Sequence, residues 1–160
     1  MTSIQFEKII PANEIEGEDE EDKSLILKSL TDARKYITSM KWCAGIKEEY
    51  LGLGIGGVVS IFLFHIEPNS SEVDEFVWVI VGDLPPAYIT CEKAPNPACA
   101  LDGYIGAMEE WVKAVNGGNP VDDLIPVNVP PTKEYADLLD KRLNFLDTEI
   151  LSNYQDDLKY

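Results

Sequence analysis

The sequence predicts an α+β domain: an antiparallel meander of three to four strands with helices packed on one face, in the order α-β-β-β-(β)-α-α. Two observations carry that prediction. The apolar period changes from 3.6 residues to 2 near Gly45 and returns to 3.6 after Asn96, the mark of helix giving way to strand and back. The strand-like stretches are also separated by glycine, proline and asparagine clusters short enough to be tight turns rather than crossovers. At 160 residues with 45% hydrophobic content, the chain fits a single domain over 1–160 with its own core.

The elements follow in chain order. Residues 3–10 read as a short strand ended by Pro11. An acidic segment over 11–22 follows, with seven carboxylates between Glu14 and Asp22, a pattern typical of solvated surface chain. A first helix is expected from Asp22 to Lys41, stacking Ile26, Leu30, Ala33, Ile37 and Met40 on one face. Carboxylates before its start and Lys35 and Lys41 near its end suit the helix dipole.

Tyr50 to Ile55 alternates glycine with branched apolar residues, as a strand with one bare face does, and Gly56-Gly57 suits a two-residue hairpin turn. Val58 to Glu67 is almost wholly apolar and rich in β-formers, so it reads as a central strand. Glu75 to Val81 is a further apolar strand, stopped by Gly82-Asp-Leu-Pro-Pro86, and Ala87 to Cys91 a short fourth one. Asn96-Pro97 is a helix start, with Asn as N-cap and Pro at the first helical position. This helix runs to about Asn116, stops at Gly117-Gly118, and lines up Leu101, Tyr104, Ile105, Met108, Trp111, Val112 and Val115. After a proline-punctuated loop from Asn119 to Pro131, Thr132 caps a last helix with Ala136, Leu139, Leu143, Leu146 and Ile150 on its apolar face, and a polar tail ends at Tyr160.

Charge narrows the function. The formal net charge of −16 repels phosphate backbones and anionic bilayers, which argues against a nucleic-acid binder and against membrane adhesion. No basic n-region precedes an apolar segment, and the longest apolar run, Val58 to Ile66, is too short to span a bilayer. Three cysteines (Cys43, Cys91 and Cys99) with no paired spacing read as reduced thiols, so the expected compartment is the cytoplasm.

Chemical motifs are sparse. Gly52-x-Gly54-x-x-Gly57 matches the dinucleotide fingerprint, but a strand follows it where the fingerprint needs a helix N-terminus. A kinase-type glycine loop would require catalytic motifs that this chain lacks. The bland reading is a glycine face that lets a helix or partner backbone come close. His65 is the only histidine and, on the face of Val59, Ile61 and Leu63 with Glu67 next along, reads as structural. The scattered cysteines and His65 lack metal-site spacing, and the acidic run lacks the alternating ligands of a Ca²⁺ loop. No cofactor and no metal are expected. Trp42, Trp78 and Trp111 read as core residues.

Three stretches, Trp78–Ile89, Asn96–Ile105 and Ile125–Thr132, resemble a group of small acidic bacterial proteins to which no activity attaches. The resemblance therefore implies no catalytic residue. In size, acidity and lack of catalytic motifs the chain is also similar to immunity proteins that neutralise bacterial toxins.

The functional expectation is a non-enzymatic acidic module that binds a basic protein, most concretely an immunity-type inhibitor of a basic toxin, since opposite charge accelerates and selects the encounter. Glu14, Glu16, Glu18, Asp19, Glu20, Glu21 and Asp22 are its expected binding surface, with Asp83 and the Asp122-Asp123 pair in exposed loops. The alternatives are a scaffold or homodimer and, third, a small hydrolase-like enzyme using Asp83, Asp122 and His65, which would have to meet in one cleft.

Overall fold

The structure is a computed structural model and describes residues 3–159. Met1, Thr2 and the last residue of the expected tail, Tyr160, lie outside the described residues. Its centre is one antiparallel sheet of five strands in sequential order: β1 (Ile10–Pro11), β2 (Cys43–Ile55), β3 (Val59–Pro68), β4 (Phe76–Gly82) and β5 (Ala87–Thr90). The helices are α1 (Glu20–Thr38), α2 (Pro97–Asn116) and α3 (Lys133–Phe145). A π-helical turn over Leu146–Ile150 and a 3-10 segment over Leu151–Leu158 extend α3. The α+β class and the antiparallel meander are as the sequence predicts. Among the described residues no helix is long and apolar enough to cross a membrane.

One expectation needs correcting: the helices cover both faces of the sheet, not one. On β3, Val59, Ile61 and Leu63 join a core with α2 and α3, while Phe62, Phe64 and Ile66 join a second core with α1. A strand buried on both faces reads as a near-continuous apolar run, which is why Val58–Glu67 shows almost no polar alternation; Ser60, 1% exposed, is the buried polar exception. Ile26, Leu30, Ala33 and Ile37 of α1 are buried as expected. The helix ends at Thr38, however, and leaves Met40 half-buried in the connection to β2.

The N-terminal strand is also shorter than expected. Phe6–Lys8 forms a 3-10 turn, and only Ile10 and Pro11 pair with β2. Pro11 has no N–H to give a second neighbour, so it belongs at a sheet edge. β2 in turn begins seven residues before Tyr50, its ladder shifted at three places: 43/45, 46/48 and 51/53. The third shift sends Leu51 to the α1 core and Leu53 to the α2 core, because an extra residue reverses which face the next side chain takes. The glycines therefore do not form one bare face. A Cβ on Gly52 would sit 2.5 Å from the Pro97 ring at the start of α2, and one on Gly54 3.1 Å from Ile26 of α1. Each is a point of close helix approach. The β2–β3 turn holds three residues, Gly56-Gly57-Val58, since Ile55 pairs with Val59; of the two glycines only Gly57 has positive φ.

The N-cap of α2 ties the chain ends together. Asn96 is fully buried: its side-chain oxygen accepts from the Cys99 N–H, and its amide donates to the Gln5 side chain and the Asp157 carbonyl, both at 2.9 Å. Trp78 and Trp111 are core residues as expected, and Trp78 Nε1 donates to the Ala94 carbonyl at 2.8 Å. Trp42 is not: it is half-buried at the sheet's end, edge-on to Tyr88.

Gly52→Ala is expected to cost about 1–3 kcal/mol in urea unfolding, because the rigid Pro97 ring leaves no room for a methyl group. Gly45→Ala is the control: a Cβ there meets nothing within 4 Å, and its unfolding midpoint should stay at or slightly above the wild-type value.

Candidate functional site

The end of the sheet that carries the β2–β3 turn is where the candidate residues gather. After β4, Gly82 has a φ of 147°, and a Cβ there would lie 2.3 Å from the Val58 carbonyl. Only glycine lets the chain cross the hairpin so closely. The Asp83 N–H donates to that same carbonyl at 3.1 Å, so the β4–β5 turn is fixed on the hairpin and its Asp83 carboxylate projects outward. Arg142 of α3 meets it at 3.3–3.4 Å.

α3 carries two apolar stripes. Ala136, Leu139 and Leu143 face the core, continued by Leu146. Tyr135, Leu138 and Phe145 are 41%, 45% and 47% exposed, and with Arg142 they follow the 3-4-3 spacing of a single helix face. Between this outer stripe and the β4–β5 turn runs a groove. The Asp83–Arg142 pair divides it into cavities of about 300 Å³ and 250 Å³. Gly57, Val58, Leu84 and Phe145 line the first; Leu84, Val129, Tyr135 and Leu138 line the second.

The acidic run reaches the same end, and it divides into structural and free carboxylates. Asp19 caps α1, accepting from the Asp22 N–H at 2.8 Å. Asp22 accepts from the Glu18 N–H at 3.0 Å and from the Gly56 N–H at 2.7 Å, pinning α1 to the hairpin whose next two residues line the groove. Glu20 and Glu21 sit exposed in the first turn, where the helix dipole favours them. Glu14, Glu16 and Glu18 are exposed, and Glu16 approaches Lys23 at 3.7 Å. Asp122 and Asp123 are exposed on a loop whose Val121, Leu124 and Val127 pack against the α2–α3 core; among the described residues no hydrogen bond or ion pair joins them to Asp83.

The three residues of the enzyme reading are not brought together. His65 pairs with Phe76 and Val59 with Gly82 across β3 and β4, so His65 and Asp83 stand at opposite strand ends, about 20 Å apart at 3.3 Å per residue. The carboxylates beside His65 are Glu48, directly across the strand at 2.9 Å from Nδ1, and Glu75, 3.9 Å from Nε2, rather than Glu67, which faces Lys47 at 4.0 Å. Its ring stacks on Phe76 with centroids 4.4 Å apart. Hydrogen bonds from His65 and Tyr50 hold the Glu48 carboxyl below its usual range. Among the described residues no three His, Cys, Asp or Glu side chains are grouped to hold a metal ion.

The sequence reading nominated Asp83 but missed Arg142, Tyr135, Leu138 and Phe145. The signal was present as a second apolar stripe on the last helix, offset by one residue from the core stripe. No protein-family model matches this chain, and neither a curated protein nor a solved structure matches it.

All three cysteines are buried and unpaired, and burial pushes the Cys91 thiol up to about 12 from an ordinary 9.0. The folded chain thus favours the protonated thiol, a preference fully present below pH 9 and lost as pH rises toward the folded value. The urea midpoint is expected to fall across that alkaline window. Cys91→Ala should flatten the fall in part, the remainder coming from the Tyr36, Tyr50 and Tyr104 phenols and the Cys43 and Cys99 thiols, which burial likewise pushes up. An unchanged alkaline slope in Cys91→Ala would exclude the thiol as its source.

Proposed function

We propose that this protein is a non-enzymatic binding module for a basic protein partner, most concretely an immunity-type inhibitor of a basic toxin. One juxtaposition carries the reading: exposed carboxylates of the acidic run and an open apolar groove meet at the β2–β3 hairpin, joined through the Asp22–Gly56 hydrogen bond. Binding surfaces need both parts. Aromatic and aliphatic anchors supply most of the affinity, here Tyr135, Leu138 and Phe145. Exposed charge supplies the encounter rate and the choice of partner, here Glu14, Glu18, Glu20 and Glu21, with Glu16 beside Lys23, within a chain of net charge −16. Asp19 and Asp22 act indirectly, since their oxygens already hold α1 and the hairpin. Asp83 pairs with Arg142, and the rest of the groove's lining is apolar apart from Lys141 and Asn128, which suits an apolar anchor.

The exposed α3 stripe favours a second reading, a homodimer formed by two such stripes. Sedimentation equilibrium separates the two. A monomer that stays monomeric at high concentration removes the dimer, whereas a dimer converted to monomer by Leu138→Glu removes the groove from heterologous binding.

The proposal is tested by capture from the source cell's lysate with stepwise salt elution. The wild type is expected to retain one basic protein that high salt releases. A variant with glutamine at 14, 16, 18, 20 and 21 should keep the wild-type urea midpoint yet bind that protein about tenfold more slowly with a shallower salt dependence. Association kinetics identical in the two proteins would exclude the run from the interface.

A further inference from the structure

A cavity at the opposite end of α1 has a different chemistry. Its volume is about 220 Å³, and its walls are Trp42, Val73, Phe76, Val77, Tyr88 and Thr90, with the carboxylates of Glu72 and Asp74 on its rim. Trp42 and Tyr88 stand edge to face, ring centroids 5.0 Å apart at 67°. Both are half-buried, so their rings form walls with part of each surface still open.

The walls are fixed by the backbone around them. The Asn69 N–H donates to the Trp42 carbonyl at 3.1 Å, and the Asn69 side-chain amide donates to the Lys41 carbonyl. These bonds lash the β3–β4 loop, which bears Glu72, Val73 and Asp74, to the segment that bears Trp42. Met40, Trp42, Val73 and Tyr88 all pack against the α1 core. The recess is therefore preorganised rather than formed on binding.

Its rim is uncompensated. Glu75, next in the chain, is met by Lys47 at 3.4 Å, but among the described residues neither Glu72 nor Asp74 takes part in an ion pair. Aromatic walls, an apolar floor and two carboxylates without an ion-pair partner among the described residues describe a receptor for a flat organic cation: the ring quadrupole attracts the charge, and the carboxylates accept its N–H groups. A guanidinium suits it better than an ammonium, because it is planar, stacks on aromatic rings and is weakly hydrated.

We infer that the Trp42–Tyr88 recess, with Glu72 and Asp74 on its rim, is a pocket for an arginine side chain of the basic partner. The inference rests on the proposed function and adds a site remote from the acidic run. α1 spans 19 residues, so the two ends lie about 28 Å apart at 1.5 Å per residue. A partner engaging both would lie along the length of α1, with steering at one end and a seated arginine at the other.

The test uses the indole N–H signals of the folded protein in a ¹⁵N spectrum. Trp78 and Trp111 are buried in the other core, which makes Trp42 a local reporter. Titration with the peptide Gly-Gly-Arg-Arg-Arg-Gly-Gly is expected to shift the Trp42 indole and the Thr90 amide saturably. The citrulline counterpart, isosteric but uncharged, should leave them in place. Glu72→Gln with Asp74→Asn, on an exposed loop and without cost to folding, should weaken the arginine peptide about tenfold, and Trp42→Phe should keep part of the affinity where Trp42→Ala loses it.

Shifts confined to amides 14–22 with Trp42 unmoved would overturn the pocket and leave the wider binding proposal standing. Equal affinity for the citrulline peptide, or for the Gln/Asn variant, would also overturn it. A saturable Trp42 shift without a salt-released basic protein from the lysate would keep the pocket and remove the wider proposal.

Discussion

The division of β3's side chains between two cores is the constraint on which the rest of the molecule hangs. From Val59 to Phe64 every residue is buried; alternate positions serve α2 and α3 on one side and α1 on the other. A strand with no solvated face tolerates no slip in register, because a shift by one residue exchanges the two sets of side chains. The glycine loop before β3 and the cluster after it set that register by hydrogen bonds: Val58 N–H to the Ile55 carbonyl at one end, Ile66 N–H to the Glu75 carbonyl toward the other.

Helices on both faces make demands on β2, which lies between β3 and the two-residue edge strand. Its bulge near Gly52 lets one strand serve both cores within three residues, and its glycines yield space where α1 and α2 come closest. Pairing interruptions and the charged side chains of Lys47, Glu48 and Glu49 also make its outer edge a poor template for another strand. The groove is built from α3 and the turns at one end of the sheet, and the aromatic recess from side chains of β4, the edge strand β5 and the loops beside them.

The same architecture separates charge that folds the protein from charge that faces outward. Asp19, Asp22 and Asp83 each hold a specific donor, at an N-cap, a hairpin turn and an arginine. Glu18, Glu20 and Glu21 stand beside them with their carboxylates in solvent. A repulsive cluster of this kind costs stability unless helix N-termini and backbone N–H groups offset it, and α1 is placed to do so. The sheet's two ends then differ in kind: an apolar groove beside the hairpin that holds the acidic run at one, an aromatic recess with two carboxylates that pair with no cation among the described residues at the other.

Local chemistry was legible in the sequence, and three-dimensional neighbours were not. The caps at Asn96 and Thr132, the helix stripes, the meander and the strand identity of the glycine-rich stretch all follow from short-range rules, since capping, periodicity and turn formation involve residues a few positions apart. The two-faced burial of the sheet was written in the unbroken apolar run of β3, since a one-sided sheet would leave Phe62, Phe64 and Ile66 in solvent; which helix covers which face was not, because that depends on where the chain places α1 and α2. Among site residues, Asp83 was recognisable as a turn carboxylate, while its partner Arg142 is 59 positions away and Glu48 reaches His65 only through strand pairing. Trp42 read as core because an aromatic residue among apolar neighbours usually is; its half-exposure depends on α1 ending at Thr38 and on Asn69 holding the next loop. Composition set the charge, and the order of apolar and turn residues set the class of fold. Tertiary packing alone decided which carboxylates are free, because that depends on which backbone donors the folded chain brings within reach.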